Sequence, residues 1–335
     1  MATSTALVVS GGGSRGAYAV GIIRHLFRQH RDSGWFRIVG GTSTGALIAP
    51  MAALMGGPDP LASEALEVLM DAYGNSTTER IVRKRGFLRW FWSRDAVYDT
   101  DPLRELVEQK LRPEMFQWLS EERAPHCYVT YTNYRTGQLV HASPGDPGIT
   151  REDFIAAVIA SASIPIALEP ARIDGDICYD GGVREILPMK HAIELGAERI
   201  LPVTLSPPEL PRAQSGLGRI DRVATRTLDI MTHETVLNDA HLAELINIAV
   251  RARRDLQETF SEDAGARQRI EQILARPEYG PLFDTNNRLV EIVAGLQPDE
   301  RLTDNSLEFD PEQMRRWIEM GEEKAREVIT ENPFA

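Results

Sequence analysis

A serine lies at the centre of a glycine-flanked turn near the start of the chain. Gly41-Thr42-Ser43-Thr44-Gly45 follows a short apolar stretch and precedes a stretch with helical spacing of apolar residues. A sharp strand-to-helix turn of this G-x-S-x-G type raises the serine hydroxyl clear of the backbone, and the N-terminus of the following helix favours negative charge there. The spacing predicts that Ser43 is a nucleophile. The alternative is a plain serine cap between a strand and a helix.

A second glycine turn precedes it in the sequence Gly11-Gly-Gly-Ser-Arg-Gly16. A nucleophilic serine needs N–H donors for the oxyanion that forms when it attacks. If the strands before the two turns are neighbours, both turns open at the same carboxyl edge of a sheet. The backbone amides of Gly11, Gly12 and Gly13 are therefore predicted to form an oxyanion hole. Arg15 either anchors this loop, meets an anionic group or is a simple surface residue.

The same turn also fits a nucleotide-binding protein. Gly11-x-Gly13-x-x-Gly16 has the spacing of the dinucleotide fingerprint, after a strand and before a helix. That fingerprint requires an acidic residue at the end of the next strand, but this strand ends in Gly40-Gly-Thr-Ser-Thr. A Walker A loop is excluded because no Gly-Lys-Ser/Thr occurs. Nucleotide binding stays open as an alternative, as does a catalytically silent scaffold.

The base that would activate Ser43 is harder to identify. None of the histidines has the glycine-rich surroundings expected of an aimed catalytic group: His25, His30, His126, His141, His191, His233 and His241. Asp180 differs, because Asp180-Gly-Gly182 makes a tight loop directly after a strand-like stretch. A calcium loop beginning at Asp174 is rejected, since Tyr179 replaces the glycine required at the sixth position.

The elements that must position these residues alternate along the chain. Strands are predicted at 5–10, 36–40, 126–131, 138–141, 171–173, 176–179, 200–205 and 289–293, and helices at 17–30, 44–55, 150–160 and after 310. This alternation indicates an α/β fold with a mostly parallel sheet and helices on both faces. We expect a catalytic core over 5–205, a helical insertion over 207–285 that packs on it, and a last strand and C-terminal helix of the same domain over 286–332.

Composition limits the partners and the cellular compartment. The 335 residues are 42% hydrophobic and 26% charged, as in ordinary globular proteins, and the formal net charge of -12 disfavours nucleic acid as the main partner. The two cysteines imply no disulfide framework and a reducing compartment. The longest apolar stretch is well short of the roughly 20 residues that span a bilayer. These features predict a cytoplasmic protein, at most peripheral to a membrane, and leave the oligomeric state open.

One segment reverses the sign of the charge. Arg80 to Arg94 holds six basic residues and no acid, with Phe87, Trp90, Phe91 and Trp92 interleaved. Basic residues with tryptophan and phenylalanine suit the interface of an anionic membrane. The alternatives are a nucleic-acid contact, or a solvated basic face whose aromatic residues pack on the sheet or cap the active site.

In this order, the three motifs resemble the patatin-like phospholipase family. That family shows G-G-G-x-R/K-G, then G-x-S-x-G, then D-G-G/A, which here are Gly11–Gly16, Gly41–Gly45 and Asp180–Gly182. Val97-Tyr98-Asp99 before Pro102, residues 156–165 and residues 173–175 are similar to the family too. The resemblance covers residues 5–205 well, is weaker over 207–285 and returns faintly near 289–329.

The resemblance implies a three-layer α/β/α sandwich with helical C-terminal additions and a lipid acyl-ester hydrolase of phospholipase A or lysophospholipase type. It implies a Ser43–Asp180 dyad that needs no histidine, metal or cofactor, with lipid or phospholipid as substrate. The oxyanion hole would come from Gly11, Gly12 and Gly13. The supporting motif positions are Arg15, Gly16, Gly41, Gly45, Gly181 and Gly182.

Overall fold

The structure is a computed structural model. It describes residues 4–84, 96–209, 247–276, 290–293, 295–303 and 305–334, and six further residues between 226 and 245. The described strands are β1 Thr5–Val9, β2 Ile38–Thr42, β3 Arg83–Lys84, β4 Ala96–Asp99, β5 His126–Asn133, β6 Leu139–Ala142, β7 Ile166–Leu168, β8 Ala171–Ile173, β9 Asp176–Asp180, β10 Arg199–Val203 and β11 Glu291–Ile292. The described helices are α1 Gly16–His30, α2 Thr44–Leu54, α3 Leu61–Gly74, α4 Thr78–Ile81, α5 Asp101–Lys110, α6 Pro113–Leu119, α7 Arg151–Ala162, α8 Met189–Glu194, α9 Ala264–Leu274 and α10 Pro311–Val328, and residues 247–259 are helical as well.

An eight-stranded sheet runs through the middle of the protein. Its order is β11-β10-β1-β2-β5-β9-β8, with β6 beside β5. The five strands from β11 to β5 are parallel, whereas β9, β8 and β6 are antiparallel to their neighbours. Strand β1 pairs directly with β2, and Val9 lies opposite Gly41. The glycine turns after these two strands therefore meet at one edge of the sheet, as predicted.

Both faces of this sheet are buried. Leu7 and Val9 of β1 join one apolar core, and Ala6 and Val8 join a second core on the opposite face, because successive side chains of a strand point to opposite sides. Helices α1, α2, α7 and α10 cover the first face. Helix α8 and the helix over 247–259, through Val250, cover the second. This arrangement confirms the three-layer α/β/α sandwich with a mostly parallel sheet and C-terminal helices.

Local sequence signals place the ends of several helices. Thr150 and Asp153 form a reciprocal capping box at the start of α7. Asp310 accepts a hydrogen bond from the Gln313 amide at the start of α10. The predicted second strand was two residues early, since the strand is Ile38–Thr42. Phe36 instead packs edge-on against the aromatic ring of Phe334.

The predicted domain boundaries remain a prediction. Most of the described residues from 247 to 276 are helical. Residues 85–94, the larger part of the basic segment, lie outside the described residues. Arg80 is described and pairs with Asp71 at 3.2 Å. Among the described helices, none is both long and apolar enough to cross a bilayer.

Candidate active site

Ser43 occupies a strained turn between β2 and α2. Its φ of 57° and ψ of -121° are a combination that residues with side chains rarely adopt. A Cβ on Gly41 would collide with the carbonyl oxygen of Gly45, and one on Gly45 would collide with that of Val9. Both flanking positions therefore require glycine. The Ser43 amide donates to the Ser161 hydroxyl at 2.9 Å, and this hydrogen bond fixes the turn against α7.

Asp180 reaches the same place from the far side of β5. Thr130 of β5 pairs with Thr42, and the next residue, Tyr131, pairs with Asp180. This register sets the end of β9 level with the end of β2. The structure thereby brings Ser43 and Asp180 together, since both line the same pocket. Each is only 5% exposed.

Burial changes the acidity of this carboxyl. Loss of solvation raises the pKa of Asp180 from 3.8 to about 7, although the Ser43 hydroxyl and the Gly182 amide favour the ionised form. The Gly182 amide donates to Oδ1 at 2.7 Å. A Cβ on Gly181 would lie 2.5 Å from the Thr130 carbonyl oxygen, so the turn requires glycine there too. A carboxyl with a pKa near neutrality is suited to proton transfer at physiological pH.

The glycine loop lies on the other side of Ser43. A Cβ on Gly11 would come within 3.0 Å of the Ser43 Cβ. The Gly11 amide donates to the Ile186 carbonyl at 3.2 Å, so it is occupied. The amides of Gly12 and Gly13 have no backbone acceptor within the described part of the chain. Of the three predicted donors, these two are therefore the ones available to an oxyanion.

Arg15 anchors this loop from inside the protein. It is 4% exposed, and its Nε donates to the Gly12 carbonyl at 3.3 Å while Nη1 donates to the Ser206 hydroxyl at 3.4 Å. A simple surface arginine is thus excluded. A Cβ on Gly16 would lie 2.5 Å from Thr44 Oγ1, so this glycine lets the start of α1 approach the start of α2.

Two cavities meet at Ser43. The deep cavity runs between α2, α3, α5 and α7 and is lined almost wholly by apolar side chains, such as Leu47, Met51, Leu69, Leu106 and Val158. The entry pocket is lined by the glycine loop, Arg15, Asp180, Val183 and Ser206. Gly13, Ser43, Ile164 and Leu307 line both. An ester held at Ser43 can therefore extend one substituent into each cavity.

The histidines lie away from these two cavities. Within the described ranges, no histidine lines either cavity. His126, His141 and His191 cluster around Tyr128 on the face covered by α8, and the rings of His141 and His191 stack at 3.9 Å. Burial, and then the charge of His191, lower the pKa of His141 to about 4. Burial also lowers the pKa of His126, so His126 and His141 are less easily protonated than an exposed histidine.

Two residues of this region were not singled out from the sequence. Ser161 belongs to the family-like stretch 156–165, but only the fold shows that its hydroxyl holds the Ser43 amide. Glu185 is 9% exposed, and burial raises its pKa to about 7. It accepts a backbone hydrogen bond from Lys190 and lines neither cavity.

Among the described residues, no cluster of three or more His, Cys, Asp or Glu side chains is arranged to hold a metal ion.

A family described as patatin-like phospholipase matches residues 7–193, more than half of the chain. The "Uncharacterized protein R571" of Acanthamoeba polyphaga mimivirus is 24% identical over 182 residues, which are 52% of this chain and 57% of that protein. VipD from Legionella pneumophila, a crystal structure, aligns with 97% of this chain and 66% of its own at 14% identity and a TM-score of 0.41. The chain thus spans less than two thirds of the length of either protein.

Proposed function

We propose that this chain, which belongs to the patatin-like phospholipase family, hydrolyses lipid acyl esters with Ser43 as nucleophile and Asp180 as its base. One observation carries the proposal. A serine on a strained strand-to-helix turn lines the same pocket as a buried carboxyl whose pKa is raised to about 7, where that pocket meets an apolar cavity. A nucleophile, a base and room for a lipid ester are thereby combined.

In the first half of the proposed reaction, Ser43 Oγ attacks the ester carbonyl carbon while Asp180 takes the hydroxyl proton. The carbonyl electron pair moves to oxygen, and the amides of Gly12 and Gly13 donate to that oxyanion. Helix α2 begins at the next residue, Thr44, and its N-terminus adds positive electrostatic potential at the oxyanion. When the tetrahedral intermediate collapses, the ester C–O bond breaks and Asp180 returns the proton to the departing alcohol.

In the second half, water attacks the acyl group on Ser43. Asp180 takes a proton from that water, and the same amides stabilise the second oxyanion. The bond between the acyl carbon and Ser43 Oγ then breaks, and the proton on Asp180 passes to Oγ. The fatty acid leaves and the dyad is restored.

The deep cavity supports a lipid acyl chain as the group transferred. Leu47 and Met51 are four residues apart and share one face of α2, and Ser43, four residues before Leu47, caps the start of this helix. Eight residues of helix rise about 12 Å, which accommodates about ten methylene carbons in extended form at roughly 1.25 Å each. The next residues on this face, Leu54 and Met55, do not line the cavity. The acyl chain would therefore contact α2 over about 12 Å.

The nucleotide-binding alternative has less support. A Cβ on Gly13 would collide with the Ser306 carbonyl oxygen, and the Ser14 amide donates to that same oxygen at 2.8 Å. The Ser14 amide, beside the start of α1 where a pyrophosphate would lie, is therefore already taken by Ser306.

A fluorophosphonate probe tests the proposal, since it reacts covalently with activated serines. The wild-type protein should be labelled at Ser43 and should release fatty acid from a panel of phospholipids and lysophospholipids. Ser43→Ala should abolish both, and Asp180→Asn should reduce both by about 10² to 10⁴. Ser120→Ala, at an exposed serine after α6, is the matched control and should behave as the wild type. Labelling that persists in Ser43→Ala, or full turnover in Asp180→Asn, would disprove the dyad.

A further inference from the structure

Ile166 combines two features that are each unfavourable. Its φ is 70°, in the left-handed region that β-branched residues rarely occupy. Its side chain is 61% exposed, although it lies between residues that are mostly buried. Backbone strain together with an apolar side chain in water points to a role outside the folding of the chain.

The position of Ile166 suggests where that role is. It begins β7, an edge strand of a small sheet ordered β3-β4-β7, in which it pairs with Ala96. Two residues before it, Ile164 lines both cavities, and Ala167 after it lines the entry pocket. The exposed side chain therefore stands on a segment whose neighbouring residues line the pocket at Ser43.

A second exposed aliphatic residue stands on another segment that lines the same opening. Val183 is 38% exposed and lines the entry pocket, in the short turn that follows Asp180. The next residue, Arg184, is exposed and brings positive charge beside it. We call Ile166 and Val183 the rim. Two separate segments that line the entry pocket thus both present apolar side chains to the outside.

We propose that the rim inserts into the surface of a lipid bilayer and seats the opening of the active site on it. This inference rests on the proposed function, since a lipid ester lies at the boundary between headgroups and acyl chains. To reach Ser43, an acyl chain has to pass from the bilayer into the deep cavity. An apolar rim in contact with the bilayer lets the acyl chain pass without crossing water.

The test compares exposed aliphatic residues at opposite edges of the sheet. Ile166→Asn removes the apolar side chain, and asparagine tolerates a positive φ better than isoleucine does. Leu195→Asn is the matched control, because Leu195 is 36% exposed and borders a cleft beside Ile38 and His126, at the amino ends of β2 and β5. Binding is measured by sedimentation with vesicles of phosphatidylcholine and phosphatidylglycerol. Hydrolysis is measured on those vesicles and on a short ester in solution.

The rim predicts that Ile166→Asn lowers vesicle binding and vesicle hydrolysis by about tenfold or more, as expected for withdrawing one large aliphatic side chain from an apolar phase. Hydrolysis of the short ester should be unchanged, and Leu195→Asn should match the wild type in all three measurements. Equal vesicle binding by Ile166→Asn and wild type would overturn the proposal. So would an equal loss on the vesicle and soluble substrates, which would make Ile166 part of the active-site wall.

Two further results keep the failures apart. Ile166→Gly relieves the strain, so its melting temperature should equal or exceed that of the wild type while its vesicle binding falls like that of Ile166→Asn. This variant decides the matter if the asparagine variant unfolds. If the wild type hydrolyses no ester but binds vesicles, and Ile166→Asn binds them less, the proposed function is disproved while the proposal that the rim inserts into the bilayer stands.

Discussion

Lowering the pH should abolish ester hydrolysis at pH values well above those at which an ordinary aspartate is protonated. The proposed base, Asp180, must be ionised to accept the Ser43 proton, and burial raises its pKa from 3.8 to about 7. At pH 5, about one Asp180 in a hundred is then ionised, whereas about nine in ten would be at a pKa of 3.8. The value of kcat/KM at pH 5 should therefore be about a hundredfold below its plateau at alkaline pH.

The assay is hydrolysis of a short uncharged ester, with the released acid measured chromatographically between pH 4.5 and 9. The profile should rise with the slope of a single proton and level off above pH 8. A short ester removes the contribution of membrane binding, which has a pH dependence of its own. Circular dichroism at each pH checks that the fold persists.

One other described carboxyl is predicted to titrate in the same range, and it provides the control. Burial raises the pKa of Glu185 to about 7 as well, but Glu185 lines neither cavity. Glu185→Gln should therefore leave the acidic limb in place. His141→Gln should do the same, because the pKa of His141 is lowered to about 4. A wild-type profile that stays flat down to pH 5, or a limb that disappears in Glu185→Gln, would refute Asp180 as the titrating base.

Three further predictions concern stability, substrate length and membrane contact. A buried carboxyl with a raised pKa binds more protons in the folded than in the unfolded state, so the protein loses stability as the pH rises from 3.8 towards 7. Asparagine stays uncharged, so Asp180→Asn should have a larger free energy of unfolding than the wild type, by about 4 kcal/mol at pH 8 and about 2 kcal/mol at pH 5. Urea denaturation at the two pH values measures this difference. Met51→Ala should shift the preferred ester towards longer acyl chains, whereas Ile48→Ala, equally buried on α2 but outside the deep cavity, should not; equal shifts in both would disprove the cavity as the acyl site. Changing the basic residues 83–85 to Glu should weaken sedimentation with anionic vesicles and spare hydrolysis of a short ester, and unchanged sedimentation would make this segment an ordinary basic face.

The residues that could be placed from sequence are those whose surroundings are local. Ser43 and Asp180 both lie in glycine turns at the end of a strand, and the glycines report close backbone approach before any fold is known. The helix starts at Thr150 and Asp310 were equally visible, because each cap bonds a residue only three positions away. Turn chemistry and capping are short-range effects, and one sequence is enough to recognise them.

What the sequence missed depends on contacts between distant residues. Gly11 was predicted as an oxyanion donor, but its amide bonds to Ile186, far along the chain, and only the folded sheet brings them together. The small sheet β3-β4-β7 was missed because its strands are two to four residues long and carry no clear alternation. The strain at Ile166 has no signal in the residue type, since isoleucine is the opposite of what a positive φ favours.

The raised pKa of Asp180 bears on how the proposed dyad would work without histidine. An exposed aspartate is ionised at neutral pH but is a weak base, so little driving force exists for taking a proton from serine. Asp180 lies at the end of β9, is 5% exposed and lines a pocket together with Ile164 and Ile186, so loss of water makes its carboxylate more basic. The single amide of Gly182 then orients the carboxyl without supplying enough hydrogen bonds to restore its ordinary acidity. Adding solvent to this pocket should therefore cost activity at neutral pH even where every catalytic group is kept, because the base would be weaker.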